Sequence, residues 1–311
     1  MKKTSLRNFI EIVSAFRWGG VCGRYLAVCL MLALPLTVRA TNHYFVHSSN
    51  NWNSNANWTS SDGGATTNGV PNITVDSAVR AYVQNAACNV TINTQVPTNN
   101  LVLILNGATV TEQAGGSIVV SNYLSLEENS TLNIQNGSWT QAGSVGRFYL
   151  GNVVNDGPTF NLSGGVMTVQ GPWLIGAASN AVGTVNISGG RFNYSGGTAD
   201  LGGYTTYSAG IINLSGTGYI GSSNNIKFGA GSPSSGTFNQ TGGTYQSLAA
   251  GADWSLGSSD SSSGTYAISG GLLDMKRVFT NSVVAGGGTA KFQVTATGIT
   301  GPTRTSTSVR T

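Results

Sequence analysis

The chain has 311 residues, 40% of them hydrophobic, only 8% charged, and 44 of them glycine. Its 15 basic side chains outnumber its 11 acidic ones, but residues 1–40 hold six of the former and one of the latter, so the remainder carries nine and ten, a net charge near −1. That remainder has no basic field to hold a phosphate backbone, which argues against nucleic acid as a partner, and its single cysteine, Cys88, excludes an intramolecular disulfide and a cysteine-rich zinc site.

The N-terminus reads as an export signal. Lys2, Lys3, Arg7, Arg17 and Arg24 precede an apolar run from Tyr25 to Val38, and Val38-Arg39-Ala40 ends it with small residues at −3 and −1. This is the layout of a secretory leader cleaved after Ala40. An uncleaved anchor is the alternative, although a spanning helix needs about 20 apolar residues. The mature chain carries no apolar run of that length.

Residues 41–95 differ in composition from the remainder of the mature chain and are expected to form an N-terminal β cap. Trp52 and Trp58 lie in an Asn/Ser-rich stretch, with strand-like runs at 79–83 and 88–92. An open first rung exposes apolar core and unpaired edge groups, and the two tryptophans are candidates to cover it. Alternatively they form a sugar-stacking platform, which makes Trp52 and Trp58 the candidate carbohydrate-binding residues.

From residue 96 to 294 one motif returns. Phe160-Asn161-Leu162-Ser163-Gly164-Gly165 recurs as Val185-Asn186-Ile187-Ser188-Gly189-Gly190, then around Asn213, as Phe238-Asn239-Gln240-Thr241-Gly242-Gly243, and as Tyr266-Ala267-Ile268-Ser269-Gly270-Gly271. A weaker copy surrounds Asn133, and the steps from Asn133 to Ala267 are 28, 25, 27, 26 and 28 residues. Segments 103–107 and 288–294 read as degenerate outer copies. Two more positions keep phase. One is an apolar residue after the glycines (Trp139, Met167, Phe192, Tyr219, Tyr245, Leu273), the other an apolar-glycine pair half a period on (Leu150-Gly151 through Leu256-Gly257).

A unit of this length with short alternating strands cannot bury its own apolar side, whereas stacked units can, each strand pairing with its equivalent at about 4.8 Å. The expected fold is therefore all-β, a parallel β-helix (β-solenoid) of right-handed hand, with coils of about 25–28 residues and some seven rungs. Gly165, Gly190, Gly243 and Gly271 are expected at corners, where positive φ is cheap. Strand alternation points Asn161, Asn186, Asn213 and Asn239 away from the core, as an amide ladder bonding from coil to coil.

The segment from Asn51-Trp52 and Asn57-Trp58 to Pro71 and Asp76-Ser77-Ala78, succeeded by repeated Gly-Gly β motifs, resembles exported bacterial β-strand-repeat proteins. Their passenger regions are similar to autotransporter passenger domains, and many end in a sorting tail of the PEP-CTERM kind. The resemblance covers about residues 42–294 and implies a β-helix displayed outside the cell. Residues 295–311 are Ser/Thr-rich and carry no such tail, so either release of the protein or a missing anchor is expected.

Enzymes on this fold need carboxylates converging on one face, as an acid–base pair or as calcium ligands beside a cation. Asp156, Asp200, Asp253, Asp260 and Asp274 fall at different phases of the repeat, and Asp274 beside Lys276-Arg277 is the best local cluster. A groove lined by Asp200, Asp253 and Arg191 would favour catalysis. His43 and His47 are the only histidines, with no phosphate loop and no nine-residue calcium repeat. No catalytic, cofactor-binding or metal residue is expected. The expected function is a non-catalytic extracellular or cell-surface structural, adhesin-like solenoid. The alternative is a carbohydrate-binding or polysaccharide-degrading β-helix. The partner stays open, polysaccharide and cell-surface components being the candidates.

Overall fold

The structure is a computed structural model that describes residues 42–45, 49–54, 57–59, 80–84, 88–202, 205–249, 252, 254–275 and 289–294. The expected leader and tail, His47, Pro71, Asp76, Asp253, Lys276 and Arg277 lie outside them. All described residues belong to one compact unit, Ala40–Thr311, and they form a β-solenoid of about seven complete turns with no α-helix among them.

Each complete turn visits three parallel sheets in order. Thr159–Leu162 lies in sheet A, Val166–Val169 in sheet B and Trp173–Ile175 in sheet C, after which Val182–Ile187 re-enters sheet A one rung on. Sheet A stacks Ser49–Asn51, Asn89–Ile92, Thr109–Glu112, Thr131–Ile134, Thr159–Leu162, Val182–Ile187, Ala209–Leu214, residues 235–240, residues 263–268 and Thr289–Val294. Nine steps between those strands span about 43 Å. Sheet B runs from 117–120 through Ser138–Gln141 and Arg191–Tyr194 to 272–274. Sheet C runs from Asn42–Phe45 through Arg80–Val83 to Trp254–Leu256.

The strands alternate because one side of every sheet faces a single shared core. In sheet A the column in register with Val90 (Val110, Leu132, Phe160, Val185, Ile212, Phe238, Tyr266) is buried, and most residues two places further along these strands are aliphatic as well. Each such side chain contributes about 1.5–3 kcal/mol on burial. Sheets B and C add aromatic layers, with Trp173 and Phe192 ring centroids 4.5 Å apart and Tyr245 and Trp254 likewise 4.5 Å apart. The Trp254 indole N–H donates to the Tyr245 hydroxyl at 2.8 Å, and burial pushes that phenol up to about 12.

Corners need residues that tolerate positive φ. Gly190 has φ +67 and a Cβ there would stand 2.6 Å from the Gly164 carbonyl carbon, so both conformation and space demand glycine. The corner entering sheet A uses asparagine in four coils, with Asn106, Asn129, Asn155 and Asn180 at φ 53–62, as expected of the side chain that visits this region most readily after glycine, and Tyr207 and Ser261 at φ 59 and 58 in two later ones.

Segment 41–95 joins the same stacks as the repeats: Asn42–Phe45 pairs parallel with Arg80–Val83, and Ser49–Asn51 with Asn89–Ile92. Two expectations change. The segment 103–107 is not a copy of the sheet A motif. Leu103 stands opposite Ser125 in sheet C, and the sheet A strand of that coil is Thr109–Glu112. Tyr219 is displaced by one residue, because Thr217 and Gly218 lengthen its corner. Ile220 takes the inward place opposite Phe192 and Tyr245 while Tyr219 faces out. A one-residue slip exchanges the faces of a strand.

Candidate functional site

The tryptophans singled out by sequence are core. Trp52 and Trp58 are 0% exposed, their ring centroids lie 4.8 Å apart, and Phe45 meets Trp58 edge-on at 5.1 Å. The Trp58 indole N–H donates to the Trp52 carbonyl at 2.8 Å. Neighbouring asparagines stitch this plug to the first rungs: Asn57 Nδ2 donates to the Asn51 carbonyl at 2.7 Å and Asn51 Nδ2 to Asn93 Oδ1 at 2.6 Å. Sugar stacking needs an open ring face, and neither tryptophan offers one.

The asparagine ladder forms as the alternation requires. Asn161 Nδ2 donates to Asn133 Oδ1 at 2.8 Å, Asn186 to Asn161 at 2.9 Å, Asn213 to Asn186 at 2.8 Å and Asn239 to Asn213 at 3.0 Å. Asn133 in turn donates to Thr111 Oγ1 at 3.3 Å. Each of these side chains is half-buried on the outer face of sheet A. Two residues earlier in the same strands stands a second outward column that sequence reasoning missed: Thr109, Thr131, Thr159, Thr184, Ile211, Thr237 and Thr265. The signal was a threonine two places before most ladder positions. It is easily passed over because threonine is also a common solvent-side strand residue.

The other outer faces are irregular. In sheet B, Arg191 lies over the Tyr219 ring, 3.9 Å from its centroid, and its Nε donates to Asn193 Oδ1 at 3.0 Å. The Tyr219 hydroxyl donates to Gln246 Oε1 at 2.7 Å, and Gln246 Nε2 donates to Asp274 Oδ2 at 3.0 Å. In sheet C, Tyr44 stacks on Tyr82 at 4.8 Å and Tyr123 on Tyr149 at 6.3 Å, with Arg147 donating to the Tyr149 hydroxyl at 2.8 Å.

The described carboxylates are distributed rather than gathered. Asp200 is buried on sheet C, opposite Leu174 and Lys227, whereas Arg191 projects from sheet B. Asp274 ends the last sheet B strand. Asp156 sits in a corner, where Oδ1 accepts the Asn129 N–H at 2.8 Å and the Gly157 N–H at 2.7 Å. Asp260 lies in the corner four rungs further on, about 19 Å along the axis. His43 is buried in the first sheet C strand and Cys88 carries a buried thiol. Among the described residues no three His, Cys, Asp or Glu side chains come close enough to hold a metal, and no helix is long and apolar enough to cross a membrane.

One carboxylate stands apart chemically. Glu112 occupies an inward position of sheet A, between Ile92 and Ile134, and is 0% exposed. Its Oε2 accepts the Gly137 N–H at 2.9 Å and Oε1 has no partner. The carboxyl fills the space that a side chain on Gly137 would need. Burial, opposed by hydrogen bonds from the Gly137 and Ser138 backbone, raises it from 4.5 to about 7. Sequence pattern alone does not mark it, because Thr109–Glu112 reads as an ordinary polar strand.

Comparison with known proteins adds no assignment: the chain matches no protein-family model, no curated protein and no solved structure.

Proposed function

We propose that the protein is a non-catalytic, exported solenoid whose work is display, an extracellular or cell-surface scaffold with adhesin-like contacts. The observation that carries this reading is the outer face of sheet A. It repeats the same hydroxyl and amide groups rung after rung, and its asparagines hold one another in place. Such a face offers many weak, identical polar contacts on a rigid support, which is how multivalent binding gains strength without a deep pocket. The leader-like N-terminus and the resemblance to autotransporter-like passengers support location outside the cell. A second reading, carbohydrate binding, draws on the four outward tyrosines of sheet C, since the tryptophans are enclosed.

The test is fractionation of a producing cell, combined with a glycan array on the full-length chain. The proposal expects the protein in the medium or on the surface, with at most weak, multivalent array signals. Retention in the cytoplasm would refute it. Tight monovalent binding of one glycan, lost in Tyr82→Ser or Tyr149→Ser, would establish the second reading in its place.

A further inference from the structure

The core requires only that the inward positions of sheet A be apolar. Nothing in that requirement fixes what faces outward, and sheets B and C vary outward freely, with Val166, Arg191, Tyr219 and Thr244 succeeding one another along one column of sheet B. Sheet A does not vary in this way. From Asn89 to Thr265 the two outward columns that run the length of the stack hold threonine and asparagine with only Ile211 and Ala267 as departures, no charged residue, and no slip of register, while a shorter outward column of Val182, Ala209, Ser235 and Ser263 flanks them in the longer strands.

The result is a two-dimensional grid of small polar groups. Its repeat is about 4.8 Å from rung to rung and about 6.6 Å between the columns, two residues along a strand. Water hydrogen bonds place oxygens about 2.75 Å apart, and a tetrahedral network built on that distance has second neighbours at about 4.5 Å and an axial repeat near 7.3 Å, the repeats of an ice surface. The two grids agree to within about a tenth in each direction.

The chemistry of the grid suits the same ligand. Asn133, Asn161, Asn186 and Asn213 each use one N–H and one carbonyl lone pair on their neighbours, leaving one donor and one acceptor for water, and Asn239 at the end of the ladder uses one N–H only. Because the ladder fixes the amides, that water is held at regular points rather than on mobile side chains. Threonine adds a hydroxyl and a methyl per rung. The absence of charge in the two columns removes the groups that would impose a different hydration geometry.

We propose that the outer face of sheet A binds the surface of ice, through waters ordered on its threonine and asparagine columns. The inference goes beyond the display reading and does not depend on it, since the two are measured by separate assays.

The experiment is microscopy of ice growth in solutions of the full-length chain, with measurement of the gap between melting and freezing points. It is run beside Thr184→Tyr, in the middle of the grid, and Thr168→Tyr, on the outer face of sheet B. The expected result is faceted crystals and a measurable gap, both lost in Thr184→Tyr and kept in Thr168→Tyr, with all three proteins giving the same β-type circular dichroism spectrum. Should Thr184→Tyr fail to fold, Asn186→Leu in the adjacent column replaces it with the same expectation. Round crystals with no gap from the unaltered protein would overturn the inference, as would equal activity in the grid variants. Retention on microcrystalline cellulose or chitin without any effect on ice would also overturn it, and would mark the grid as a site for a crystalline polysaccharide.

Discussion

Glu112 gives the solenoid a pH dependence that can be worked out from its surroundings. Ionisation near 7 in the folded chain, against 4.5 for a solvated glutamate, means that the folded state holds this proton more tightly than the unfolded state. Stability is then fully present below about pH 4.5, falls as pH rises towards 7, and levels off above it. At about 1.4 kcal/mol for each tenfold change in proton affinity, the loss is about 3 kcal/mol. Among the described residues no charged side chain offsets it, since the register neighbours of Glu112 are Ile92 and Ile134 and its hydrogen-bond donors are backbone groups of Gly137 and Ser138. Glu112→Gln keeps an acceptor for the Gly137 N–H and removes the titration. Equilibrium urea unfolding, monitored by circular dichroism at pH 4.5 and pH 8, should show the two proteins differing by about 3 kcal/mol more at the higher pH, with the glutamine variant the more stable there. Identical pH dependence in both proteins would refute the reasoning.

Three substitutions probe the rest of the fold. Asn186→Ala removes ladder bonds to Asn161 and Asn213 and should cost about 1–3 kcal/mol in urea unfolding, whereas Asn239→Ala breaks only the bond to Asn213 and should cost less. Gly190→Ala meets both positive φ and a backbone approach of 2.6 Å, so a loss of about 2 kcal/mol or more is expected. Trp58→Ala opens the enclosed plug and should lower stability by about 3–5 kcal/mol while leaving any surface binding by the folded fraction unchanged.

The solenoid is legible in the sequence where inward positions are large and apolar and corners use paired glycines, as around Asn161, Asn186 and Asn239. It fades where coils are shorter. Asn133 stands only 22 residues after its partner Thr111, and the inward Glu112 breaks the apolar pattern, so 103–107 reads as the motif in place of the true sheet A strand. Tyr219 is misplaced by the pattern because corner length decides which face a residue takes, and one added residue does not alter composition. The tryptophans show the same limit: an Asn-Trp pair reads alike whether the ring is enclosed or open, and only packing against Phe45 decides. The grid on sheet A is half visible, its asparagines through the motif and its threonines hidden among ordinary strand residues.

Display rather than catalysis is the central claim, and turnover tests it most directly. The measurement is release of reducing ends and unsaturated products from a panel of neutral and acidic polysaccharides, with and without calcium, by the full-length chain. Display predicts no product above buffer on any of them. Sustained release that disappears in Asp200→Asn or Asp274→Asn would contradict it and make the protein an enzyme.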